Sequence, residues 1–231
     1  MRFEQNSFRP LPTSAMFDLL RSRIEFEVVR PAVVAITSST SEDGKEVAAR
    51  GLASSLAATG YRTLFIDTSL SNRSMSKPLP LGHAIDEMLR QAVVPAEYLA
   101  AISLSDPNLQ RSTSRRELQA ELEILRSRFD YVLVSTECGG TTSFATSIIN
   151  SADAVLVSVK RSRKETREDR RLSAALGSIG SRFLGLIAFE PSALAESDGV
   201  VTPINVEHAP HRGITVETDR PFREVPSGRL V

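Results

Sequence analysis

The sequence predicts a three-layer α/β fold, a mostly parallel sheet flanked by helices. Three observations lead there. Short apolar runs such as Ala32-Val33-Val34-Ala35-Ile36 recur along the chain and read as buried strands. Between them lie stretches with apolar residues three or four apart, the spacing of a helix that covers a sheet. The segment from Ala32 to Ile66 holds strand, loop, helix and strand in turn. That is a βαβ unit, which implies parallel pairing.

Residues 1–13 carry no helical or strand periodicity and read as a flexible lead. From Ser14, the expected N-cap, Phe17, Leu20, Ile24 and Val28 fall three or four apart, and Pro31 ends the helix. That apolar face suits packing on the chain's own sheet or on another subunit. After the first strand comes a polar loop, Thr37 to Gly44, then a long Ala-rich helix from Lys45 to Thr59. Gly60 stands where a helix C′ glycine belongs. Thr63 to Ile66 is the second strand, and Ser69 to Pro80, polar with two prolines, reads as a surface loop. Ala84 to Leu89 is helical, and Pro95 to Ile102 suits a short helix or a strand. Arg115 to Arg128 is amphipathic, with Leu118, Leu122 and Leu125 on one face, and leads into a third strand, Tyr131 to Val134. A helix from Ala145 to Ser151, a strand from Ala154 to Val159, a helix from Lys164 to Ile179 ended by Gly180, and a strand from Phe183 to Phe189 follow. Past Glu190 only Gly199 to Val206 suggests a strand. Residues 14–206 therefore read as one domain and 207–231 as a mobile tail.

Composition narrows the function. Of 231 residues 41% are hydrophobic and 24% charged, which excludes wholesale disorder. Lys plus Arg (28) balances Asp plus Glu (28), so there is no general pull toward nucleic acid, and none is expected as a partner. One cysteine, Cys138, and three histidines leave little for a disulfide or a zinc site; Cys138 reads as an inert thiol. No apolar run is long enough to span a bilayer, and the polar N-terminus is no signal peptide. A cytoplasmic location follows, with any membrane association arising through a partner. The basic stretch from Lys160 to Arg171 reads as a solvated helix face.

The loop Thr37-Ser38-Ser39-Thr40-Ser41-Glu42-Asp43-Gly44-Lys45 carries the most information. Between a buried strand and a helix, such a loop aims successive backbone N–H groups at an anion on the helix dipole. Gly44 allows close approach of a phosphate, and Lys45 stands where a P-loop lysine reaches the phosphates. An ordinary helix lysine exposed to water fits the same position. If a nucleotide binds, the binding residues are Thr40, Ser41, Glu42, Asp43, Gly44, Lys45, Glu46 and Val47.

From Ser14 to Phe189 the chain resembles the cytoplasmic domain of bacterial tyrosine kinases of exopolysaccharide and capsule systems, within the MinD/ParA-like P-loop class. Leu20-Arg21-Ser22-Arg23-Ile24-Glu25-Phe26 resembles the family's LRTNI-x-F helix, and Thr37 to Lys45 its TSS-x-x-x-EGK loop. Leu64-Phe65-Ile66-Asp67 resembles LLID, and Gly82 to Leu89 a GL-x-x-x-L helix start. Phe129 to Val134 resembles FDYVIID, Ala152 to Val157 resembles ADAVLLV, and Leu184 to Ile187 the last LGVV strand. The resemblance implies a P-loop NTPase-like fold and, in active members, ATP or ADP with magnesium.

The departures shape the functional expectation. Where the family has a magnesium-binding Ser or Thr after the lysine, this chain has Glu46 and then Val47. Like charges about 4 Å apart cost about 4 kcal/mol at an effective dielectric of about 20, so Glu46 beside the phosphates would weaken binding. In the second motif Asp67 survives as a vestige, while Ser69 and Ser71 replace an aspartate and an arginine. Ser135 replaces the aspartate of the third motif, with Thr136-Glu137-Cys138 after it, and Glu190 stands in for the base-reading asparagine. The ring-assembly pattern E-x-x-R-x-x-R reads Ala15, Asp18 and Arg21, leaving Arg21 as its one interaction residue, so a homo-oligomer stays open while the family's ring is not expected. None of the three tyrosines, Tyr61, Tyr98 and Tyr131, lies in the tail.

These departures lead to a non-catalytic component of exopolysaccharide or capsule synthesis and export. No catalytic residue, resident metal or cofactor is expected. By resemblance its partner is a membrane-anchored chain-length regulator or a true tyrosine kinase, which would hold it at the inner membrane. Two alternatives stand beside this: an ATP-dependent autokinase whose metal site is rebuilt by Glu46 and Glu137, and a MinD/ParA-like positioning ATPase.

Overall fold

Seven strands form one sheet in the order β3-β4-β2-β5-β1-β6-β7. They are β1 (Ala32–Ser38), β2 (Thr63–Asp67), β3 (Val93–Ala96), β4 (Leu99–Ser103), β5 (Tyr131–Ser135), β6 (Ala154–Lys160) and β7 (Arg182–Phe189). Six run parallel, and β3 pairs antiparallel on β4 at one edge. The computed structural model describes residues 13–68, 80–90, 92–96, 98–104, 106–138, 142–160, 165–177 and 182–189. The 1–12 part of the lead, residues 69–79 of the surface loop, Gly180, the 199–206 strand and the 207–231 tail lie outside them.

The central strands are buried along their whole length, as their unbroken apolar runs require when helices cover both faces. On one face lie α1 (Thr13–Glu27) and α2 (Lys45–Ala58), packed over Val34, Ile36, Phe65, Leu133 and Leu156. On the other, α3 (Leu81–Arg90), α4 (Pro107–Ser112), α5 (Arg115–Arg128), α6 (Ser143–Ser151) and α7 (Arg167–Gly177) gather around Val33, Ile66, Val132, Val134 and Val155. The α/β expectation holds in all three layers.

Phe17, Ile24 and Val28 are buried and Leu20 packs against the same core, so the first helix serves the chain's own sheet. Helical backbone already begins at Thr13, which puts Ser14 inside the helix and corrects its expected role as N-cap. The Pro95 to Ile102 stretch becomes parts of two strands, turned at Tyr98 with φ 65°. The short α4 has no counterpart in the sequence reading; Asp106 caps it by accepting the Asn108 N–H at 2.8 Å. Gly60, at φ 88°, ends α2 as a C′ glycine should.

At the N-terminal end of the sheet, Asp153 accepts the Val33 N–H at 2.7 Å and Asp130 accepts the Arg62 N–H at 2.8 Å. These contacts fix where the parallel strands start, and so which residues reach the opposite end.

Candidate functional site

β1 lies between β5 and β6; its connection runs to β2 on one side while that of β6 runs to β7 on the other, so the winding of the sheet reverses between β1 and β6, where ligands of open α/β sheets bind at the C-terminal strand ends. The loop after β1 turns through a 3₁₀ segment, Ser41–Asp43. Gly44, at φ 72° and ψ 21°, then takes the left-handed conformation that joins this turn to α2. The expected strand–loop–helix cradle is present.

Asp43 organises the loop from within. It is fully buried, and its carboxylate accepts the Thr40 N–H at 3.0 Å, the Ser39 hydroxyl at 3.1 Å and the Lys160 N–H at 3.1 Å. The Ser158 hydroxyl donates to the Asp43 carbonyl. Ser39 also reaches Asp169 of α7, whose carboxylate accepts the Thr166 N–H at 2.7 Å in a capping box with the Thr166 hydroxyl. Asp43 thus faces β6 and α7. Sequence reading takes Ser39 only as part of the loop, Ser158 not at all, and Lys160 and Asp169 only within a solvated helix face, whereas Lys160 ends β6 and both touch the loop; Ser158, Lys160 and Asp169 stand more than a hundred positions from their loop partners.

Lys45 is only 6% exposed and shares α2's buried stripe with Ala48, Ala49, Leu52, Ala53 and Leu56. This excludes the solvent-exposed reading. Its ammonium has no hydrogen-bond or ion-pair partner among the described residues. Ser135 is fully buried and its hydroxyl is likewise without a partner. Strand alternation places Ser135 on the face of Tyr131 and Leu133, beneath α2. Asp67 is its direct neighbour in the β2–β5 ladder and shares that face with Phe65.

Glu46 requires a correction. It is half-exposed and pairs with Arg50 one turn along α2, so its charge does not stand beside Lys45. One step along a helix rotates a side chain by about 100°, which carries position 46 off the stripe that buries position 45. Val47 packs against the core, Thr40 gives its N–H to Asp43, Ser41 is exposed, and the Glu42 side chain lies outside the described residues, as do Ser69, Ser71 and Glu190. The Glu137 carbonyl accepts the Thr136 hydroxyl at 2.9 Å and the Thr37 hydroxyl at 3.4 Å. Cys138 is half-buried. Arg21 is engaged within its own chain, with Glu25 at 3.1 Å, Ser55 at 3.2 Å and Asp18 at 3.8 Å.

Magnesium binds oxygen ligands in near-octahedral order, through one or two carboxylates and substrate phosphates. Among the described residues no three His, Cys, Asp or Glu side chains converge to hold a metal ion. A neutral hydroxyl at 135 and a Glu46 bound to Arg50 leave Asp67 as the carboxylate on this face. That set offers magnesium one carboxylate, with its other ligands left to substrate phosphates and water.

No family model matches the chain. Its relatives include bacterial proteins named as tyrosine kinases. It is 25% identical over 188 residues to the tyrosine-protein kinase CpsD of Streptococcus agalactiae serotype III, covering 76% of this chain and 81% of that protein. It is 29% identical over 170 residues to the succinoglycan biosynthesis transport protein ExoP of Rhizobium meliloti, covering 67% of this chain and 22% of ExoP. The kinase domain of the Escherichia coli tyrosine kinase ETK superposes with a TM-score of 0.63 at 18% identity, over 82% of this chain and 84% of that domain, a likeness of fold. The resemblance read from the sequence motifs stands.

Proposed function

We propose that this chain is a tyrosine-kinase-like component of capsule or exopolysaccharide biosynthesis that works by binding other proteins and does not transfer phosphoryl groups. The names of the CpsD and ExoP relatives support the pathway. The observation that carries the non-catalytic reading is the buried, unpartnered Ser135 hydroxyl in the place where the family resemblance expects a metal-organising aspartate. Phosphoryl transfer depends on magnesium to neutralise charge developing on the phosphates, and a hydroxyl at this position supplies no charge to hold it. Glu46 offers no substitute because Arg50 holds it outside.

Two further features support a binding role. Leu19 and Phe26 stand exposed on α1, Phe26 at 91%, and Val29 is exposed just beyond it, apolar surface of the kind interfaces bury. Of the three tyrosines, Tyr131 is buried in the core beneath α2, out of reach of a kinase. The proposed partner is a membrane-anchored chain-length regulator or an active tyrosine kinase. No helix of the described residues is long and apolar enough to cross a membrane, so peripheral attachment at the inner membrane through that partner is part of the proposal.

A specific observation favours the rival reading of an active kinase: Lys45 and Asp67 are both retained at the crevice. Incubation of the purified protein with MgATP separates the two. The expected result is no phosphotyrosine and no magnesium-dependent phosphate release. In cells, Asp67→Asn is expected to leave polysaccharide output unchanged while deletion of the gene lowers it. Loss of output from a folded Asp67→Asn protein, or phosphotyrosine on the wild type, would overturn the proposal.

A further inference from the structure

We infer that the chain's own segment Gly199 to Glu207 docks along the free edge of β7, beside the exposed apolar side of α1. This deepens the protein-binding reading and rests on it, since a partner that uses this surface must first displace the segment.

β7 ends the sheet, so among the described residues nothing pairs with its outer edge. A free edge presents a row of N–H and C=O groups that templates another strand. The opposite edge is guarded, because β3 has four residues and one of them is Pro95. β7 has eight and no proline. Phe183 and Leu186 stand opposite Val155 and Val157, two apart on β6, and so share one face of the sheet, where both are exposed. Leu184 and Ile187 turn into the core on the other face.

α1 borders the same edge. Its Asp18 and Arg21 bond to Ser55 of α2, whereas Arg23 and Glu27 reach the other way. A methyl group on Gly185 of β7 would lie 3.5 Å from an Arg23 guanidinium nitrogen, and Arg182 pairs with Glu27 at 3.1 Å. At about 100° per residue, Leu19 and Phe26 lie on the Arg23 side of the helix, and both are exposed. Apolar side chains thus flank the unpaired edge on both faces.

Charge selects the occupant. Arg23 and Arg182 share the one Glu27 carboxylate, at 2.9 and 3.1 Å, which leaves one positive charge in excess. A second β7 carries no acid to answer it. The 42 residues that follow Phe189 begin at this edge, and from Glu190 to Glu207 they hold four acids and no lysine or arginine. Val200, Thr202, Ile204 and Val206 alternate as the inner face of a strand requires. Residues 190–198, closing on Asp198-Gly199, are long enough to turn the chain back antiparallel. Eight residues of return beside β7 bring Glu207 to Arg182. Pro203 is compatible with an edge strand whose nitrogen there faces outward. So short a tether gives about millimolar effective concentration, and weak pairing suffices.

Amide hydrogen exchange in the full chain, resolved by residue with NMR, tests this. The β7 amides that point away from β6 are expected to be protected, and to exchange about tenfold faster in Ile204→Asp. Glu207→Arg is expected to speed them as well. Amides of β1 and β5 are expected unchanged in both variants and report that the sheet is intact. Fast exchange of the outward β7 amides in the wild type, or protection that either variant retains in full, overturns the inference and leaves the protein-binding reading standing. Protection that falls on dilution, with a dimer by sedimentation, assigns the edge to a second copy and overturns it too.

Discussion

The Asp43 carboxylate accepts the backbone N–H of Lys160 at 3.1 Å, tying the turn before Gly44 to the end of β6, the strand beside β1. An acid that sequence position places among the phosphate ligands is instead the internal brace of the loop. Asp43→Ala would strip the acceptor from the Thr40 and Lys160 amides in a buried place. Each orphaned donor costs about 1–3 kcal/mol, so a loss of about 3 kcal/mol is expected by urea unfolding.

Phe17 presses on α2 where a glycine leaves room. A methyl group on Gly51 would meet the Phe17 ring at 2.1 Å. Gly51→Ala is therefore expected to destabilise by about 1–3 kcal/mol although alanine is the better helix former. In a Phe17→Ala background the clash is gone, and the same change is expected to stabilise by about 1 kcal/mol. A double-mutant cycle by chemical denaturation reads the reversal of sign.

Two polar side chains under the start of α2 are predicted to oppose folding. Lys45→Met removes the charge of a side chain that is 6% exposed, and Ser135→Ala a buried hydroxyl, each without a partner among the described residues. Each variant is expected to be about 1 kcal/mol more stable than the wild type in phosphate-free buffer, measured by denaturant midpoint. A loss of stability in both would show that these groups are satisfied within the fold.

Acid is predicted to act through Asp130. Burial alone would raise its carboxyl, but the hydrogen bonds from the Arg62 side chain and backbone, with the Arg62 charge, outweigh that and hold it below the usual range. A carboxyl depressed in the folded state contributes stability above its unfolded pKa and loses it as pH falls through the folded one. Urea midpoints should fall below about pH 4 in the wild type, and less steeply in Asp130→Asn.

Much of the fold was legible because the signals were local. Each central strand is an unbroken apolar run, and Arg115 to Arg128 emerges as α5 with the ends its pattern predicts. The Pro95 to Ile102 stretch was ambiguous because its short apolar runs suit either period; pairing with β2 settles β4 as a strand. The candidate site was half legible. Gly44 and Lys45 stand out by their place after a strand, whereas Ser158 and Asp169 have no pattern to mark them.

By itself, the order of apolar runs determined the parallel three-layer sheet and the loop after β1, since burial on both faces and βα alternation are written residue by residue. Only the tertiary structure decided the direction of each polar side chain there. Lys45 turns inward, Glu46 outward to Arg50, and Asp43 sideways to Lys160. The reason is physical: a charge's role depends on which groups surround it, and those groups come from strands and helices far apart along the chain.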